Sequence, residues 1–166
     1  MEHCDECGFD PDSSDARTTG PAILEAIAIL GELLNDKTTD LVSRSTSQTW
    51  SPLEYGCHLR DVLIVQRERV LLARRVDRAS PPMMGRDERV EHDGYAEQNP
   101  QHVATQLTEA ARLFANVLAR LGSQDWERIV VYDGLEPPER ALAWVALDTW
   151  HEVRHHLLDV QRLVSI

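Results

Sequence analysis

Apolar residues recur in this chain at intervals of three and four, the period of an α-helix, in four separate stretches. Ile23, Ile27, Leu30 and Leu34, widened by Leu24 and Leu33, predict a first helix over 20–35. The second is announced by Ser51-Pro52-Leu53-Glu54: a capping hydroxyl, a proline at the first helical position and a glutamate three residues after the cap. It should run to Arg75. Val103, Leu107, Ala110, Phe114, Val117 and Leu121 predict a third helix over 99–121, stopped by Gly122. Pro137-Pro138 opens a fourth over 138–163, with Leu142, Val145, Leu147, Leu158 and Leu163 available for the core.

Four amphipathic helices in one small domain bury their stripes most simply as an all-α four-helix bundle. The segment between the second and third helices holds Pro81-Pro82, Gly85, Gly94 and Pro100 and reads as a long crossover with one short helical turn. A connection of that length lets neighbouring helices run parallel. The β-branched run in "WERIVVYD" is a short strand or an extended link. Residues 1–19, rich in Asp, Ser, Thr and Gly without an apolar period, form an irregular arm ahead of a bundle domain over 20–166.

With 42% hydrophobic residues the chain can fill a core of this size, and its low aromatic content, 5%, fits helices. A formal charge of −11 argues against nucleic-acid and anionic-membrane partners, which need clustered basic surface. The acidic start Met1-Glu2-His3-Cys4-Asp5 is unlike a signal peptide, so a cytoplasmic location is expected. Three cysteines, Cys4, Cys7 and Cys57, are too few and odd in number for a disulfide framework.

The fourth helix contains "DTWHEVRHHLLDV", in which His151-Glu152-Val153-Arg154-His155 matches the H-E-x-x-H of zinc proteases. His151 and His155, four apart, sit one above the other on a stripe continued by Leu147 and Leu158, with Cβ atoms about 5–6 Å apart. His58, on the second helix, shares its face with Tyr55, Val62 and Val65. Inward histidines are costly unless their nitrogens are satisfied, and one divalent ion bound by His58, His151 and His155 would satisfy all three. Asp61, Asp148 and Asp159 lie three or four residues from these ligands, where each could accept a ring N–H. His156 falls on a different face and is expected at the rim. A protease is disfavoured, because no separate downstream ligand follows His155 and no sheet edge is present to hold a peptide. A di-iron carboxylate site is equally poor, since Glu152-x-x-His155 has no second copy.

"TWSPLEYGCHLRDV" and the downstream "WHEVRHHLLDV" resemble the DinB-like superfamily of metal-binding four-helix bundles, which includes thiol-dependent S-transferases and mycothiol-dependent maleylpyruvate isomerases. The resemblance implies an up-down-down-up helix order and places the ligands at His58, His151 and His155. In the isomerase branch one ligand of the fourth helix is a glutamate, where this chain has His151. The implied activity is a metal-dependent transfer: zinc or nickel, with an open coordination position, holds a low-molecular-weight thiol such as mycothiol as thiolate for attack on an electrophile. The competing reading is a non-catalytic metal-binding bundle acting in stress response or assembly, as a homodimer through helix faces.

Cys4-x-x-Cys7-Gly8 looks like one knuckle of a zinc ribbon. Half a site needs completing, by His3, by a histidine of the domain body or by a second chain; the alternatives are a redox pair and an exposed arm. Cys57, about 100° round the helix from His58, reads as a buried packing residue.

Overall fold

The computed structural model describes residues 2–12 and 14–165; Met1, Ser13 and Ile166, which fall in the two expected segments, lie outside the described residues. Among the described residues five α-helices account for most of the length: α1 (Thr19–Asn35), α2 (Pro52–Arg75), α3 (Arg86–His92), α4 (Pro100–Leu118) and α5 (Leu142–Val164). A small antiparallel hairpin, β1 (Ile129–Val131) and β2 (Glu139–Ala141), stands between the last two.

α1, α2, α4 and α5 form the bundle, with α4 and α5 each packed against both α1 and α2. Side-chain neighbours give the directions. Gly20 faces Ala115 and Gly31 faces Thr108, so α1 and α4 are antiparallel. Gly56 faces Val103, and Arg60 donates to Gln106 at 2.9 Å, so α2 and α4 are parallel. Tyr55 lies against His156 and His58 against Glu152, which makes α5 antiparallel to α2. The order is therefore up-down-down-up, and the parallel pair is the one joined by the long crossover.

Local chemistry explains the boundaries. Ser51 Oγ accepts from the Glu54 N–H at 3.2 Å while Glu54 Oε2 accepts from the Ser51 N–H at 2.8 Å, a reciprocal cap that fixes the start of α2. Arg44 closes over the same carboxylate, donating from Nε at 2.8 Å. Asn99 caps α4 through the His102 N–H. Along α1, Ile23, Ile27, Leu30 and Leu34 are fully buried as their spacing predicts, whereas Leu24 remains exposed.

α5 starts later than its prolines predict. Residues 139–141 pair with β1 instead of winding into helix, Tyr132 N–H bonds Pro138 O, and the Leu142 N–H donates to Arg128 O at 2.9 Å. The crossover holds more order than one turn: α3 is followed by a 3-10 turn at Tyr95–Glu97 whose Tyr95 is fully buried. The N-terminal arm is also built. A turn from Cys4 to Phe9 is closed by backbone bonds, and Phe9 is almost fully buried. None of the helices is long and apolar enough to cross a membrane among the described residues.

Candidate metal centre

The buried line of α5 runs through Leu142, Val145, Ala146, Thr149, Val153 and Val160. Glu152 and His156 flank that line on the side facing α2, while His151 and His155 occupy the neighbouring stripe, about 100° further round. Two pairs with the same i, i+4 spacing therefore address different partners.

His58 meets Glu152 and His156. Its Nε2 is 3.3 Å from Glu152 Oε2, and His156 Nε2 is 3.5 Å from the same oxygen. The three donor atoms lie within 4.8 Å of one another. His156 Nδ1 sits 2.9 Å from Asp159 Oδ2, so an N–H there directs the other ring nitrogen towards His58 and Glu152. Burial works against ionised Glu152, but bonds from His156 and His58 outweigh it and hold the carboxyl far below the usual range. Burial likewise opposes charge on His156, yet Glu152 and Asp159 raise its pKa above the ordinary imidazole value. Trp50 packs on His58 and Tyr55 on His156, with ring centroids 5.1 and 5.0 Å apart.

Two cavities open from this point. One of ≈430 Å³ is lined by His58, Glu152, Asp148, Gln66, Arg69 and Arg86, among others. The second, ≈410 Å³, is bounded by Trp50, Tyr55, His156 and, on its far side, His151 and His155. His58, Glu152 and Arg86 belong to both. Asp148 is pushed up to about 6 by burial and by the neighbouring Glu152 charge, so near neutrality it can hold or give up a proton inside the first cavity.

Two imidazoles and a carboxylate converging from two helices, braced from behind by Asp159, form a three-ligand set of the kind that holds a catalytic divalent ion and leaves a position free. The sequence matches the DinB superfamily over residues 22–158. The chain belongs to the DinB superfamily. Among solved structures, YfiT from Bacillus subtilis shares the fold, with a TM-score of 0.78 and 16% identity over 93% of this chain and 91% of that one; YfiT is described as a probable metal-dependent hydrolase with an unusual four-helix bundle topology. None of the curated proteins matches the sequence.

The DinB domain does not bring the expected trio His58, His151 and His155 together as one group. His151 and His155 face the N-terminal arm, grouped with Cys4 and Cys7, and His58 takes Glu152 and His156. A further group, His155, His156 and Asp159, reuses members of both. The rim position expected for His156 is also corrected: it is three-quarters or more covered and central to the site.

The three aspartates have separate roles. Asp159 braces His156 at 2.9 Å more closely than it approaches His155, at 3.7 Å. Asp148 makes no hydrogen bond to His151 and lines the first cavity instead. Asp61 ties α2 to the crossover instead of bonding His58, accepting from Arg60 at 2.8 Å, Tyr95 at 2.8 Å and Arg89 at 3.1 Å. Cys57 is buried, its thiol pushed up to about 12 by burial.

The grouping of Glu152 with His156 had a signal in the sequence: Glu152-x-x-x-His156 has the same spacing as His151-x-x-x-His155. Leu147 and Leu158, which suggested an inward stripe for His151 and His155, are both only half-buried.

Proposed function

We propose that the chain is a metal-dependent transferase in which His58, Glu152 and His156 hold a divalent ion and a low-molecular-weight thiol of the mycothiol type attacks an electrophilic carbon, the sulfur forming a C–S bond as its proton is lost and the carbon's leaving group or π-electron pair is displaced. The donor set fits such an ion, with nitrogen and oxygen ligands and a second-layer carboxylate on one imidazole. When bound, the ion would supply Lewis acidity, lowering the pKa of a thiol or water at its open position.

The observation that carries a two-substrate reaction is the pair of cavities meeting at His58, Glu152 and Arg86. Each is large enough for an organic group, so thiol and electrophile can approach from opposite sides. Arg69 and Arg86 give the first cavity positive charge for an anionic substrate. Asp148, on the same wall, is placed to take up or return a proton at its carboxylate oxygen. Trp50 and Tyr55 cover the imidazoles and keep water from their faces.

The same ligand set also suits hydrolysis, where water replaces the thiol, as the description of YfiT would have it for that protein. Hydrolysis needs only one organic-substrate cavity, and the second favours transfer.

The deciding experiment incubates zinc-loaded protein with mycothiol, glutathione or cysteine and an electrophilic probe, following free thiol and conjugate mass. Conjugate formation that depends on metal and disappears in His58→Ala supports transfer. Metal-dependent cleavage of an ester or amide panel without thiol consumption replaces it with hydrolysis, and metal binding without either leaves the non-catalytic reading.

A further inference from the structure

The N-terminal arm carries a second donor set that the His58–Glu152–His156 site does not use. Cys4 Sγ, Cys7 Sγ and a ring nitrogen from each of His151 and His155 lie within 4.8 Å of one another. Cys4 Sγ is 3.5 Å from His155 Nδ1. Tetrahedral zinc, with bonds of about 2.3 Å to sulfur and about 2.0–2.1 Å to nitrogen, has sulfur-to-nitrogen edges of roughly 3.5 Å. Two thiols and two imidazoles complete the coordination of such an ion and leave no position for a substrate.

The surrounding backbone is shaped for that grip. Cys4 N–H bonds Phe9 O at 2.9 Å, Gly8 N–H bonds Cys4 O at 2.8 Å, and Gly8 takes a φ of 66° that a side chain would disfavour. The turn is already seated on α5: Arg154 Nε donates to Cys7 O at 2.9 Å, and Phe9 stacks on His151 with centroids 4.9 Å apart. Two further observations point to a ligand. His151 Nε2 is buried without a hydrogen-bond partner, a cost that a protein seldom carries unanswered. His155 presents its other nitrogen, Nε2, to Glu6 Oε2 at 3.5 Å and Asp159 Oδ2 at 3.7 Å, the carboxylate arrangement that orients metal-bound imidazoles.

We propose that Cys4, Cys7, His151 and His155 bind one zinc ion as a structural clasp that fastens the N-terminal arm to α5, beside the His58 site and independent of it. On binding, both thiols lose their protons to solvent and the imidazoles remain neutral, so the clasp adds no net charge. Since His151 and His155 also wall the ≈410 Å³ cavity, the clasp fixes one side of that cavity.

The test is the cobalt(II) spectrum of the full chain. Cobalt-loaded wild-type protein is expected to show an intense thiolate-to-cobalt charge-transfer band in the near ultraviolet, with tetrahedral bands in the visible. Cys4→Ser and Cys7→Ser should lose the charge-transfer band and one zinc per chain, while His58→Ala keeps the band and loses the other ion. If the cysteine variants fail to fold, the wild-type spectrum still decides. Absence of the band in wild-type protein overturns the clasp, as does its survival when both cysteines are replaced. A Cys4–Cys7 disulfide in protein that retains its full zinc content would also overturn it.

Discussion

His151 with His155, and Glu152 with His156, are neighbouring pairs on the same two turns of α5, yet they differ in almost every chemical respect. The first pair faces a local turn of the N-terminal arm bearing two thiols; the second faces a bundle helix bearing one imidazole. The first set gathers four protein donors, and the second gathers three beside two cavities. A rotation of about 100° along one helix separates a set of four donors from a set of three that opens onto two cavities. The i, i+4 spacing specifies only that two ligands can share an ion; the number and kind of partners opposite them decide its use.

Removing a ligand from each set should break the comparison most sharply. Glu152→Gln is expected to reduce turnover by about 10²–10³-fold, since Lewis-acid stabilisation of several kcal/mol is at stake. The cobalt–thiolate band should be untouched. Cys7→Ser should have the reverse profile, losing the band and lowering the thermal midpoint while turnover persists; parallel kinetics and calorimetry would show it. Equal loss of activity in both variants would mean the pairs form a single centre.

A smaller effect is expected for Asp159→Asn. Weakening the brace on His156 should lower metal affinity at the three-ligand site by about 10–100-fold, measured by competition with a chromophoric chelator. Smaller still, Phe9→Leu keeps apolar volume but removes the stack on His151. A loss of about 0.5–1.5 kcal/mol in denaturant unfolding is expected, with no change in kcat.

Asp61 supplies a control outside both stripes. Burial raises its pKa, but Arg60, Tyr95 and Arg89 outweigh that and hold it below the ordinary carboxylate value. Its ionised form is therefore favoured in the folded state. The resulting stability is present above the ordinary aspartate pKa and is lost as pH falls through the depressed one. Wild-type protein should exceed Asp61→Asn in stability at neutral pH, with the gap closing under acid in pH-dependent urea unfolding.

The bundle was legible because its signals are local. The cap at Ser51 and Glu54 and the stripe from Ile23 to Leu34 depend on residues a turn or two apart. The start of α5 was less so: Pro137-Pro138 suits a helix opening, but residues 139–141 are claimed by a ladder with 129–131, a pairing that helical periodicity does not report. The helix segment that carries the candidate ligands was legible, but which of its side chains meets His58 was not. Leu147 and Leu158 suggested that His151 and His155 point inward, while Thr149 and Val153, one polar and one between charges, mark the buried line less conspicuously. Cys4 and Cys7 announced half a site, and only the fold shows which body histidines stand opposite.

The hairpin therefore has a role beyond joining two helices. β2 runs directly into α5, and the Leu142 amide is anchored to Arg128. A slip of one residue would advance every later side chain by about 1.5 Å and turn it by about 100°, presenting the wrong pair to each partner. Three residues of strand thus act as an indexing stop, setting from a distance which imidazoles stand by the cysteine sulfurs and which stands by His58.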